Sequence, residues 1–338
     1  MTADLLLRTG IAVLPVAAFL AVLLLLDSYK LVRLGSVLRT VLVGAGVAAL
    51  CLVSNRLLLE ALGWQPIHYS RYGAPIVEEA LKGAYVVFLV RRKKVGFMVD
   101  AAIYGFAVGT GFAIAENLVY VSALAGTNPI VWILRGFGTA IMHGGTTALV
   151  GVFLKGGVER HGSEGLRAVL PALGAAIVFH SLFNHFLLSP VLSAVILLIG
   201  LPLVTVAVFR RSEESLREWL GVGFDTDAQL LEMINTGNIS ESRIGRYLMA
   251  LQDRFPGEVL ADMLCLIRVQ VELAIRAKGI LLMRQAGFEV APDPEVTERF
   301  AELRYLEKSI GKTGKLALKP CIHWTSRELW QLHMLGKR

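Results

Sequence analysis

Hydrophobic residues run through the first two thirds of the chain in blocks separated by short polar connections. Each block is about 20 residues, the length an α-helix needs to cross a bilayer. The pattern predicts membrane helices over residues 5–26, 40–62, 74–90, 97–124, 130–154, 168–188 and 190–209. From Ser212 onward charges become dense and no spanning run recurs. Apolar positions there fall at helical spacing, as in GEVLADMLCLIRVQVELAIRAKGILLMRQ. The expected architecture is therefore all-α: a polytopic membrane bundle of seven helices over residues 1–211, followed by a soluble helical domain over 212–338. Ser212, ahead of Glu213 and Glu214, reads as the N-cap of that domain's first helix. APDPEV reads as a Pro-rich turn and the terminal LGKR as a frayed end.

Charge orients this bundle. Lys30, Arg33 and Arg39, then Arg91 to Lys94, then Lys155, Arg160 and Arg167 occupy alternate connections. The other connections, around Tyr69–Tyr72, Thr127–Pro129 and Ser189–Pro190, carry little beyond Arg71. The positive-inside rule then puts the N-terminus outside and the C-terminal domain in the cytoplasm. Much of the excess behind the net charge of +7 lies in such clusters, Arg210 and Arg211 included, so the bilayer rather than nucleic acid is the expected partner. The first apolar run exceeds the 7–15-residue core of a signal peptide and reads as a retained helix. Cys51, Cys265 and Cys321 are scattered, which argues against a disulfide framework or a cysteine zinc site.

Several polar residues stand where apolar ones belong. Glu78, Glu79 and Lys82 interrupt the third predicted helix, Glu116 and Asn117 the fourth, Arg135 and His143 the fifth, and His180 and Asn184 the sixth. An ionised group at membrane depth costs roughly 2.5–3.5 kcal/mol on insertion scales, so each is a functional candidate. At 1.5 Å per residue, Glu78 lies ~6 Å below the outer boundary, Glu116 and His180 ~12 Å, and His143 ~20 Å. All four can meet in the outer half of the membrane. Asp100, some 24 Å from Glu116 along the same helix, cannot join them and reads as an inner-face structural residue. Glu78 and Lys82, His143 and Thr147, and His180 and Asn184 are each four apart and share a helix face. Glycines in GFAVGTGFAIAEN and GFGTAIMHGGTTALVG allow close helix approach. His68, His161, His323 and His333 read as loop or tail residues.

Carboxylates and histidines converging in an apolar cavity suit acid–base or metal chemistry. Glu78 is the first choice of general base and Glu79 the second, with Lys82 holding one of the pair ionised. His143 and His180 can orient water, donate to an oxyanion or ligate a metal, and Asn184 suits an oxyanion donor. Glu116 can fix a histidine tautomer or act as a ligand. Arg135 can pair with Glu116 or Glu79, or extend toward the headgroups. A zinc site would draw on His143 and His180 with Glu116 or Glu78. No HExxH helix is present, and a metal-free site with no cofactor is the preferred reading.

The motifs resemble the PrsW family of bacterial intramembrane proteases, related to the CAAX prenyl endopeptidase and Abi group. The likeness covers Ala74 to Phe186. It rests on Glu78, Glu79 and Lys82, then on Asp100, Tyr104, Gly105, Gly109, Gly111, Phe112, Ala113, Glu116 and Asn117, then on Arg135 with His143, and finally on His180 with Asn184. Lys82 departs from the Glu-Glu-x-x-x-Arg of the wider group, and His185 has no counterpart. The resemblance implies an endopeptidase of the bacterial inner membrane that cleaves single-pass, anti-sigma-factor-like substrates near the extracytoplasmic face. The competing classes are a proton-coupled transporter, which should show pseudo-symmetric halves, and a non-enzymatic membrane scaffold. Polar residues concentrate in helices three to six with none mirrored in one, two or seven, which favours the enzyme.

Overall fold

A computed structural model describes residues 3–123, 128–161, 166–291, 293–320 and 326–335. Thr127, Cys321, His323, Pro292 of the APDPEV turn and residues 336–338 lie outside the described residues, as do the side chains of Arg160, His161 and His333. The described elements are all helical. They divide into two compact units, Met1–Ser212 and Glu213–Arg338.

The first unit holds α1 (Ala3–Leu25), α2 (Leu34–Leu62), the single turn α3 (Pro66–His68), α4 (Ala74–Arg91), α5 (Met98–Ala123), the short α6 (Pro129–Leu134), α7 (Ala140–His161), α8 (Leu166–Asn184) and the first part of α9 (Pro190–Asn235). Among the described residues, six helices are long and apolar enough to cross a membrane; α6 and α7 count as one of them. The seventh expected span, α4, stands apart because its 18 residues carry Glu78, Glu79, Lys82 and Arg91. It nevertheless packs inside the bundle against α2, α7 and α8. Two π-helical turns interrupt the regular pattern, Tyr69–Gly73 ahead of α4 and Arg135–Thr139 between α6 and α7. Such turns occur mostly as local bulges and often mark functional positions.

Burial explains the layering. From Val99 to Ala113 every residue of α5 is buried, as expected of a central helix that is apolar all round. Around it, α1, α2, α8 and α9 turn Leu14, Leu42, Leu170 and Leu203 outward, all of them strongly exposed. Such a belt would be a liability in water and is the face a bilayer covers. Close approach at the centre depends on glycine. A Cβ on Gly109 would lie 2.2 Å from the carbonyl oxygen of His143, and one on Gly111 1.9 Å from that of Val41. Neither position can carry a side chain without separating α5 from its neighbours. At the start of α5 the buried Asp100 accepts from the backbone N–H groups of Gly96 and Phe97, both at 2.7 Å. It fixes the turn in which Lys93 adopts a left-handed conformation (φ 56°), and it takes no part in the polar cluster described below.

Ser212 does not begin a helix. It lies inside α9, which runs unbroken for 46 residues, and its hydroxyl accepts from the N–H of Val99 at 3.3 Å. No Gly or Pro stands between Phe209 and Leu216 to stop the helix, so continuation wins over a capping preference.

The second unit comprises the remainder of α9, a 3₁₀ turn (Asn238–Glu241), α10 (Arg243–Met249), α11 (Gly257–Gln285), α12 (Pro294–Leu318) and α13 (Ser326–Leu335). α11 supplies most of its core through Met263, Leu266, Ile267 and Leu273, against Leu303, Leu306 and Ile310 of α12. Asp293 caps α12 by accepting from the Glu295 N–H at 3.0 Å, which agrees with a turn at APDPEV. α12 breaks at Gly311 (φ 65°, ψ −170°). Lys278, buried, pairs with Asp227 at 2.6 Å and lies over the Trp219 ring.

Candidate active site

The polar residues of α4, α5, α7 and α8 meet in one cluster. The buried Lys82 ammonium donates to Oε1 of Glu79 at 2.6 Å, and both side chains are fully buried. Glu79 is thus the carboxylate paired by the lysine, although the four-residue spacing had aligned Lys82 with Glu78. The same Glu79 oxygen lies 2.8 Å from Nδ1 of His180 and accepts from the Thr146 hydroxyl at 3.2 Å. Its second oxygen, Oε2, has no hydrogen-bond partner among the described residues. A carboxylate held ionised by Lys82 can only accept, so the His180 proton sits on Nδ1 and Nε2 presents its lone pair. That lone pair faces Glu78, whose Oε2 is 3.9 Å away.

His143 is held from both sides. Its Nδ1 is 3.1 Å from the Lys82 ammonium, a donor only, so Nδ1 accepts and Nε2 carries the proton. Nε2 then points at Oε2 of Glu116, 3.3 Å away. Arg135 donates to Glu116 at 3.0 Å and to Asn117 at 2.8 Å, while its guanidinium stacks 3.8 Å above Tyr120. Asn117 in turn donates to the Ala12 carbonyl at 2.7 Å. Thr147 returns its hydroxyl to the His143 carbonyl at 3.0 Å, so it is Thr146 that reaches the cluster. The imidazoles of His143 and His180 stand edge to face with centroids 5.0 Å apart.

These groups border a cavity of about 590 Å³. Glu78, Glu116, Arg135, His143, His180 and Asn184 all contribute to its wall. Asn184 has one amide donor committed to the Ser70 carbonyl at 2.8 Å. His185, one position on, has Nδ1 2.7 Å from the Ser181 carbonyl and an edge contact with Tyr72.

α2 also contributes, which sequence reasoning missed. Asn55 donates to Oε1 of Glu78 at 3.1 Å and accepts from the Tyr69 hydroxyl at 2.9 Å. Cys51 and Asn55 line the cavity. The available signal was the polar Ser54-Asn55-Arg56 interruption near the C-terminal end of an apolar helix. The expectation that the second helix brings no polar partner is corrected on this point.

The donor set suits a metal ion. One ligand atom from each of Glu78, His143 and His180 lies within 4.8 Å of the others, and all three residues are buried. Two imidazoles and a carboxylate with room for a further ligand is a catalytic zinc pattern. The Glu79 carboxylate on the far nitrogen of His180 is the kind of partner that orients a ligating imidazole.

A buried Glu/His cluster thus lies inside a bundle of helices long and apolar enough to cross a membrane. The family model for PrsW family intramembrane metalloproteases matches residues 33–209, slightly more than half of the chain. The chain belongs to the PrsW family. No curated protein and no solved structure matches it.

Proposed function

We propose that this protein is an endopeptidase that hydrolyses a peptide bond within or beside a membrane-spanning segment of a single-pass, anti-sigma-factor-like protein. The observation that carries the reading is the convergence of Glu78, His143 and His180 within 4.8 Å in a cavity of the bundle. This convergence also moves the balance from the metal-free mechanism favoured by sequence to a metal-dependent one. Glu78, His143 and His180 would hold the ion, zinc by the chemistry of the set. Bound there, it would supply Lewis-acid polarisation of the scissile carbonyl and acidify a water.

The chain's own residues supply the rest. Glu79, fixed by Lys82 and Thr146, holds the His180 tautomer. Ligation by His143 through Nε2 would require its ring proton to pass to Nδ1, with the Lys82 ammonium moving off that nitrogen. Glu116, oriented by Arg135, is the candidate to relay a proton to the leaving amine. The spare amide N–H of Asn184 is the candidate donor to the carbonyl oxygen. Basic residues Lys30 and Arg33, then Arg92 to Lys94, on alternate connections support an N-out, C-in orientation in the bacterial inner membrane, with 212–338 as a cytoplasmic helical domain, whereas Lys155 lies buried within α7.

The test is cleavage of a reconstituted single-pass substrate by the purified chain, before and after chelation and after zinc is returned. Loss on chelation, rescue by zinc, and inactivity of Glu78→Gln and His180→Ala are expected. Full activity in the chelated protein or in both variants overturns the assignment.

A further inference from the structure

Glu78 is held by a chain of contacts that begins on another helix of the site. In the π turn Tyr69–Gly73 the backbone carbonyls of Ser70 and Arg71 accept from side chains of α8. Asn184 reaches the first at 2.8 Å and Ser181 the second at 2.7 Å. The turn is thereby stapled to the helix that carries His180. From its first residue, the buried Tyr69 donates its hydroxyl to Oδ1 of Asn55 at 2.9 Å. An amide whose oxygen accepts from a phenol must present nitrogen on its other side, and Nδ2 of Asn55 donates to Oε1 of Glu78 at 3.1 Å. This leaves Oε2 of Glu78 facing His180. Gly73 permits the arrangement, because a Cβ there would lie 2.7 Å from the Tyr69 ring.

We propose that Asn55 and Tyr69 are positioning residues for Glu78, selecting which carboxylate oxygen enters the reaction centre and coupling its orientation to the helix bearing His180. The inference rests on Glu78 acting in that centre as proposed above. Neither residue touches the reacting atoms in this role. Their effect passes entirely through one carboxylate, and a double-mutant cycle detects that dependence.

Co²⁺ titration of the full chain in detergent, as a spectroscopic probe of the site, is the experiment. Partners that orient a ligand typically contribute 10–100-fold in metal affinity. Asn55→Ala is expected to weaken Co²⁺ binding by about that factor, and Tyr69→Phe in the same direction by less. Both effects should vanish in a Glu78→Gln background. Wild-type affinity in Asn55→Ala, or an equal loss with and without Glu78, overturns the inference. Should the wild-type chain take up no Co²⁺, the metal reading falls and the same cycle is read on kcat with Glu78→Asp as background. A kcat loss for Asn55→Ala that disappears in that background then supports positioning, and additive losses overturn it. Tyr69→Phe, which removes a single oxygen from the π turn lining the cavity, guards against a result due to misfolding alone.

Discussion

Replacing Lys82 by Met isolates the energetics of the buried pair. Lys82 and Glu79 are both fully buried, 2.6 Å apart, and Oε2 of Glu79 already lacks a partner. Removing the ammonium leaves an uncompensated charge away from water, which costs about 3–5 kcal/mol when one partner of a buried pair is deleted. For a unit of this size each kcal/mol shifts the melting midpoint by about 2–4 °C, giving an expected drop of roughly 6–20 °C. The second arm is Lys82→Met combined with Glu79→Gln. The neutral amide retains a carbonyl for Thr146 and His180 while removing the charge, so most of the lost stability should return. Cleavage should not return with it, because His180 then lacks a carboxylate to fix its tautomer. The assay is thermal unfolding of the purified chain in detergent alongside substrate cleavage. A Lys82→Met midpoint within about 2 °C of wild type, or a double variant less stable than the single one, refutes the account of a buried charge balanced by Lys82.

Gly109→Ala should force α5 from α7, since its Cβ would meet the His143 carbonyl at 2.2 Å. An overpacked contact costs about 1–3 kcal/mol, and a shift of about 1 Å between Glu116 and His143 should lower kcat about 100-fold; unchanged kcat would count against that spacing. Arg135→Lys keeps the charge but cannot span Glu116 and Asn117 together, so cleavage should fall about 10–100-fold in a kinetic comparison. In the second unit, Asp227→Ala strands the buried Lys278 and should cost about 3–5 kcal/mol. Lys278→Met leaves Asp227 in reach of water and should cost about 1 kcal/mol; denaturation of the full chain that reverses this order contradicts the burial argument.

Much of this was legible because membrane solvation is strict. A glutamate or histidine in an apolar run is conspicuous, and helix rise gives its level along its own helix. Glu78, Glu116, His143 and His180 could be grouped on those grounds, and Asp100 set apart from them. What the pattern did not carry was pairing. Glu78 and Glu79 are both within a turn of Lys82, and only the packing of α4 against α7 decides that Glu79 receives it. Asn55 escaped notice because its role depends on Tyr69, fourteen residues later, and on a π turn whose sequence, Tyr-Ser-Arg-Tyr-Gly, differs little from that of an ordinary helix. Ser212 misled for the opposite reason. A residue type that favours helix starts was read as one where no breaker was present.

The two π turns carry a consequence for how the length of the chain is constrained. Each closes i to i+5 where its flanking helices close i to i+4, so it takes up one extra residue without turning the segments on either side out of register. Deleting a single residue from Tyr69–Gly73 would restore an uninterrupted α-helix with those segments still aligned, and the change would be felt inside the turn, where the carbonyls of Ser70 and Arg71 accept from α8. A one-residue deletion in the regular helix beside either turn has no such outlet: it would rotate the residues beyond it by about 100° and shift them by about 1.5 Å. The two turns are therefore the places in this bundle where chain length can change by one residue while the functional groups on the flanking helices keep their faces.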